Sequence, residues 1–119
     1  MKLSGPNDPV IRALIVLEPE GLLKRLTVTG HAGSGRKGND PVCAAVSMLV
    51  RTAVRTVEGH AGLDVRYSAG KPGETDLTIG NIPDGERSWL AGVTDMILRG
   101  FKDLEMDAPD TIEVVEERS

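Results

Sequence analysis

Cys43 is the only cysteine in this 119-residue chain, and the residues ahead of it, Asp40-Pro41-Val42, are of the kind that begin a helix. Aspartate is a strong N-cap residue, and proline is favoured at the first helical position. With Asp40 as cap, Cys43 is the third helical residue and its backbone N–H donates to the Asp40 carboxylate. The sulfur then sits at the positive end of a helix dipole, an environment that favours a thiolate over a thiol. The charge of Asp40 opposes the thiolate, while its cap orders the helix end that favours one. A nucleophilic cysteine needs a base or cationic partner, and the chain offers two histidines, His31 and His60. His31 lies twelve residues before Cys43, across a glycine-rich stretch that folds back at low entropic cost. His60 follows the far end of the same helix, about 23 Å away at 1.5 Å per residue. Within one chain the geometry selects His31. The bland alternatives are that a lone cysteine in an apolar helix is a small core residue, and that a histidine past a helix C-terminus interacts with the last carbonyls.

A second motif occupies the stretch between His31 and Cys43. Gly33-Ser34-Gly35-Arg36-Lys37-Gly38 fits the G-x-G-x-x-G of dinucleotide sites, and it follows a strand and precedes a helix. In that motif the helix starts near the second glycine, which would bury Pro41 in the helix interior, where it removes a hydrogen bond and clashes. A triphosphate-binding loop fails as well, because Lys37 is followed by Gly38. A cysteine phosphatase needs an arginine six residues after its nucleophile, and that position is Leu49.

The elements that must position these residues can be read from periodicity. Val10 to Leu17 and Leu22 to Thr29 read as two strands in a hairpin, with Leu22, Leu26 and Val28 on one face. Pro41 to about Glu58 is an amphipathic helix on Val42, Val46, Leu49, Ala53 and Val57, with Arg51, Arg55 and Glu58 facing water. Leu63 to Ser68 and Thr75 to Gly80 form a second hairpin. Glu86 to about Glu105 is a second helix, on Leu90, Val93, Ile97, Phe101 and Leu104. Thr111 to Val115 closes as a strand. The order is β-β-α-β-β-α-β, an α+β class with a mostly antiparallel sheet and two helices in a single domain over 1–119, with loose ends at 1–8 and 116–119. Trp89, Met96 and Phe101 read as core or interface packing, and the acidic C-terminal stretch as a solvated face.

Composition bounds the function. Hydrophobic residues make up 39% of the chain and aromatics only 3%, so the core is aliphatic. Fourteen basic against eighteen acidic residues give a net charge of -4, which argues against direct nucleic-acid binding by general electrostatics. One cysteine allows no intrachain disulfide and no thiolate zinc cage, and it fits a reducing cytoplasm. The most apolar run, Val42 to Val50, is too short to cross a membrane. The first nine residues carry no apolar signal core.

Gly30-His31-Ala32, a glycine-rich spacer ending Gly38-Asn39-Asp40, and then Pro41-Val42-Cys43-Ala44-Ala45-Val46-Ser47 together resemble the signature of the Prp family of ribosomal-processing cysteine proteases. The family pattern is Gly-His-Ala, a short spacer and Gly-x-Asp-Ile-Val-Cys-Ala-Ala-Val-Ser. Two positions depart from it. Pro41 replaces the isoleucine, and Ala108-Pro109 replaces an aromatic-proline pair before the last strand. The resemblance implies a homodimeric cysteine endopeptidase that removes the N-terminal extension of a large-subunit ribosomal protein and needs no cofactor or metal. His31 and Cys43 carry over as its catalytic pair, with Asp40 as its acidic residue. The expected chemistry is acyl transfer. His31 takes the Cys43 proton, the sulfur attacks a peptide carbonyl, and the N–H groups of Cys43 and Ala44 hold the oxyanion. Ser47, one turn on, supports the site. Gly33, Gly35, Arg36, Lys37 and Gly38 are expected to form a mobile cover over the peptide, with Arg36 and Lys37 at its rim. The competing expectations are a non-catalytic ribosome-associated module of the same fold and a nucleotide-binding fragment.

Overall fold

Along the first strand, β1 (Ile11–Leu17), the side chains of Ile11, Ala13, Ile15 and Leu17 are buried while Arg12, Leu14 and Val16 point to the opposite face. This is the period-two pattern of a strand packed on one side. The computed structural model describes residues 10–30, 41–70 and 73–119. β2 (Leu23–Thr29) pairs antiparallel with β1 through a short link in which Gly21 takes φ +98° and the Glu18 N–H donates to the Leu22 carbonyl at 2.8 Å. The Leu22 N–H donates in turn to the Glu18 carboxylate at 3.0 Å. Leu22, Leu26 and Val28 are buried together in the core as expected, and a bulge adds Leu23 to them. Val16 opposes Arg25 but Leu17 opposes Leu23, so Lys24 is the extra residue and Leu23 takes the core position within the strand.

α1 (Pro41–Glu58) follows, then β3 (Val65–Ser68), β4 (Glu74–Ile79), a 3-10 turn at Asp84–Glu86, α2 (Arg87–Asp107) and β5 (Ile112–Arg118). The five strands form one sheet in the order β3-β4-β2-β1-β5. The α+β class and the β-β-α-β-β-α-β order are those expected from the sequence. The sheet is mixed, with three antiparallel ladders and one parallel ladder between β1 and β5.

Both helices cover the same face. Val46, Val50, Ala53, Val54 and Val57 of α1 and Leu90, Thr94, Ile97 and Phe101 of α2 join the inward residues of β1, β2 and β4 in one core. Thr94 is buried but satisfied, because its hydroxyl accepts the Leu23 N–H at 3.0 Å, at the bulge. The helices approach closely at Gly100, where a Cβ would stand 2.9 Å from Leu49 Cδ2. The other sheet face carries ion pairs, among them Arg25–Asp76 and Arg12–Glu113.

Two element ends differ from the sequence expectation. α2 runs to Asp107, and Ala108 leaves the helix at φ -141° directly before Pro109, as a residue preceding proline must. β5 runs to Arg118, so residues 116–118 belong to the sheet. Glu116, Glu117 and Arg118 pair with Ile15, Val16 and Leu17, the Ser119 N–H donates to the Leu17 carbonyl, and Arg118 reaches the Pro19 carbonyl. The solvated reading of the acidic C-terminal stretch is partly replaced as well. Glu105 accepts the Val114 N–H, and Glu116 pairs with Lys102 at 3.0 Å.

Candidate active site

α1 begins at Pro41, which makes Cys43 the third residue of an eighteen-residue helix. Cys43 is half-buried, with Ala44 exposed beside it and Val46 fully buried three residues further on. The hydrophobic stripe explains this placement. Val46, Val50, Ala53, Val54 and Val57 anchor the later turns, and in the first turn Val42 packs against the core, partly buried. Ser47 is half-buried one turn beyond Cys43. It heads an open groove of about 390 Å³ walled by Arg51, Arg55 and Glu58 of α1, Tyr67 of β3 and Thr75 of β4. The floor is formed by Val50 and Val54.

β2 ends against the same part of the sheet. Gly30 takes φ +90°, its N–H donates to the Gly73 carbonyl at 2.8 Å, and a Cβ there would stand 2.0 Å from the Val10 carbonyl oxygen. Only glycine fits both the dihedral and the gap. Thr75, two residues past Gly73, lines the groove that Ser47 heads. The backbone that leads into the Gly-His-Ala segment is thus held beside the strand facing the first half of α1. His31, Asp40 and the loop residues Gly33, Gly35, Arg36, Lys37 and Gly38 lie outside the described residues.

His60, the other histidine, is fixed elsewhere. Its ring stacks on Trp89 with centroids 3.6 Å apart and planes 8° from parallel, and its Nε2 is hydrogen-bonded to Glu86. The expected contact with the last helix carbonyls is made by its backbone N–H, which donates to the Val57 carbonyl, and the ring instead joins α1 to the start of α2. The chain turns at Gly59 and carries the imidazole over the 3-10 turn, and the flat faces of imidazole and indole favour stacking. Phe101 is core as expected, Trp89 packs at the core's edge, and Met96 is exposed.

Among the described residues the electrostatic shifts fall on the outer face of the sheet and at the link between β1 and β2. Asp76 is held below the usual carboxylate range, chiefly by its hydrogen bonds from Arg25, with help from Thr27 and against a cost of burial. Glu18 is lowered by the Leu22 N–H and by Arg87. Arg25 and Arg87 are raised by these same partners. Among the described residues no group of His, Cys, Asp and Glu is arranged to hold a metal ion, and no helix is long and apolar enough to cross a membrane.

By periodicity Arg51, Arg55 and Glu58 read as a face toward water, and neither Tyr67 nor Thr75 carries a local signal of the groove. One available signal was the four-residue ladder Cys43, Ser47, Arg51, Arg55, which runs as a ridge along the helix.

A five-stranded α+β domain with one half-buried cysteine in the opening turn of a long helix is a scaffold suited to thiol chemistry. The profile of the cysteine protease Prp family matches residues 10–113. The chain belongs to that family, and its enzyme class is cysteine protease. Among solved structures it is similar to SMU.848 from Streptococcus mutans, at 26% identity and a TM-score of 0.75, over 93% of this chain and 97% of that one. It shares its fold with the essential ribosomal processing protease Prp from S. aureus in complex with a covalently linked product peptide, at 19% identity and a TM-score of 0.75, over 90% of this chain and 99% of that one. The same S. aureus protease with a substrate peptide aligns at 18% identity and a TM-score of 0.74, with the same coverage. No curated protein matches the chain.

Proposed function

We propose that this cysteine protease is an endopeptidase that removes the N-terminal extension of a large-subunit ribosomal protein during ribosome assembly, using Cys43 and His31 as a dyad. It would work in the cytoplasm as a homodimer, with no cofactor and no direct nucleic-acid contact. The observation that carries the reading is the setting of Cys43: the third residue of α1, half-buried, in a chain matched to the Prp family over nearly its whole length. The S. aureus relative of the same fold is a ribosomal processing protease that forms a covalent complex with its product peptide, which agrees with an acyl-transfer course.

In this mechanism His31 takes the thiol proton as the Cys43 sulfur adds to the scissile carbonyl. The N–H groups of Cys43 and Ala44 face the N-terminal end of α1; Ala44 holds the oxyanion, joined by Cys43 as its N–H turns from the Asp40 carboxylate to the substrate. His31 then protonates the leaving amine, and water releases the acyl group from the sulfur. The hydrogen bond from the Gly30 N–H to the Gly73 carbonyl supports His31 as the partner, because it ties the backbone one residue ahead of His31 to the start of β4. Asp40 caps the helix start, Ser47 steadies the first turn, and Gly33, Gly35, Arg36, Lys37 and Gly38 cover the bound peptide.

The test is cleavage of a synthetic peptide spanning the N-terminus of the host's large-subunit ribosomal protein, followed by mass spectrometry. Wild type should cut once, while Cys43→Ala and His31→Ala should not cut. Iodoacetamide labelling against pH, wild type beside His31→Ala with peptide present, reads the coupling of the two side chains. Identical labelling profiles would remove His31 from the mechanism.

A further inference from the structure

The groove that starts at Ser47 runs on from the cysteine's end of α1, and its charged lining is two arginines and one carboxylate, Glu58. Arg51 and Arg55 stand one turn apart on α1 and line one wall, and both are exposed. Among the described residues neither makes an ion pair, nor do Arg66 and Arg118, whereas Arg12, Arg25, Arg87 and Arg99 each pair with a carboxylate. Two like charges one turn apart disfavour the helix slightly. Glu58, three residues past Arg55, lines the same groove, so the basic character is strongest at the Arg51 end, nearer Cys43.

The shape argues for an extended chain. The groove is open, and its floor is the aliphatic surface of Val50 and Val54. Its far wall is Tyr67 on β3, the strand at one edge of the sheet. At 1.5 Å per residue Arg51 lies about 12 Å and Arg55 about 18 Å along the axis from Cys43. An extended peptide at roughly 3.3 Å per residue covers those distances in about four and about six residues.

We propose that this groove is a subsite for the peptide cleaved at Cys43, and that Arg51 and Arg55 select an acidic side chain about four to six residues from the scissile bond. The inference rests on the protease reading above and adds a specificity to it. The guanidiniums are solvent-exposed, so their effect is a moderate preference and not an absolute requirement.

The experiment uses the full chain and a set of peptides built on the ribosomal-protein N-terminal peptide, each with Glu, Gln or Lys at one position three to six residues on either side of the cut. Wild type is expected to prefer Glu over Lys by about tenfold in kcat/KM at one of these positions, mainly through KM, with Gln between. The double substitution Arg51→Glu with Arg55→Glu should reverse that order. Arg99→Glu on α2 makes half of that charge change elsewhere, equal to the change of Arg51→Glu alone, and should keep the wild-type order, whereas Arg51→Glu alone should weaken it. A parallel arm measures binding of the same peptides to Cys43→Ala protein by fluorescence anisotropy. Discrimination in binding without cleavage by wild type would sink the protease substrate reading and support the groove. Cleavage without discrimination at any position, or the same ranking in wild type and the double variant, would overturn the groove and leave the protease reading standing. Binding of a uridine oligomer that the double variant loses, with no Glu–Lys discrimination among peptides, would overturn it in favour of a nucleic-acid surface.

Discussion

The two ends of α1 are built in opposite ways. At the C-terminal end Val54 and Val57 are buried, and His60 is clasped between the Trp89 ring and the Glu86 carboxylate. At the N-terminal end Pro41 and Ala44 are exposed and Cys43 is half-buried. A nucleophile must be held still and yet be reachable, and a single helix meets both demands if one end carries the anchorage and the other the chemistry. The two histidines divide along the same line. His60 is built into the packing that ties α1 to α2, which agrees with the proposal that His31 is the imidazole for the sulfur.

The sharpest way to break this division is to exchange the effects of substitutions at the two ends. Cys43→Ala should lower the cleavage rate by at least about 10⁴-fold, the scale seen when a nucleophile is removed, while thermal unfolding stays close to wild type. A Cys43→Ala protein that still cleaves would place the chemistry elsewhere.

Gly30 tests how the fold delivers the other half of the proposed dyad. Gly30→Ala forces a side chain into a φ of +90° and sets its Cβ 2.0 Å from the Val10 carbonyl oxygen, so the β2 end must move. The expected loss is on the order of 3 kcal/mol, from backbone strain and overlap together. Denaturant unfolding reads it, and a variant as stable as wild type would show that the end of β2 is not fixed as described. His60→Ala should cost less, about 1–2 kcal/mol, through the lost stacking and hydrogen bond. Its cleavage rate per folded molecule should stay within about twofold of wild type. A large fall in kcat at unchanged stability would mean that the C-terminal end takes part in the chemistry and would erase the contrast between the two ends.

Local signals made the elements and the helix start legible. Asp40-Pro41 announces the beginning of α1, and the period of Val46, Val50 and Val57 announces its buried face, so the third-residue position of Cys43 could be read without coordinates. What escaped the sequence depends on partners far along the chain. The bulge at Lys24 arises from the register of β1 against β2, and the parallel seat of β5 from which edge of the sheet was left open. His60 meets a carboxylate 26 residues away. The groove beside α1 needs Tyr67 and Thr75, brought there by β3 and β4, before Arg51 and Arg55 stop reading as a plain solvated face. For His31 and its spacer the sequence supplies the motif alone.

The smallest effect serves as a control on a surface that belongs to neither end of α1. Asp76 and Arg25 sit on the outer face of the sheet, paired at 2.8 Å and both well exposed. The Arg25 hydrogen bonds hold Asp76 below its ordinary value, so the folded state favours the carboxylate. A carboxyl group that is lowered on folding stabilises the protein above its unfolded pKa, about 3.9 for aspartate, and that contribution is lost as pH falls through the folded value. Solvent screening makes it small. Asp76→Asn should lower Tm by about 2 °C at pH 7, and the gap to wild type should close as the pH is brought below 4. Because the pair lies on the opposite face of the sheet from both helices, the substitution should leave cleavage as it was. If Asp76→Asn instead changed the reaction while Gly30→Ala did not, the route from sheet to sulfur would run through the outer face, and the contrast between the two ends of α1 would not explain how the cysteine is held.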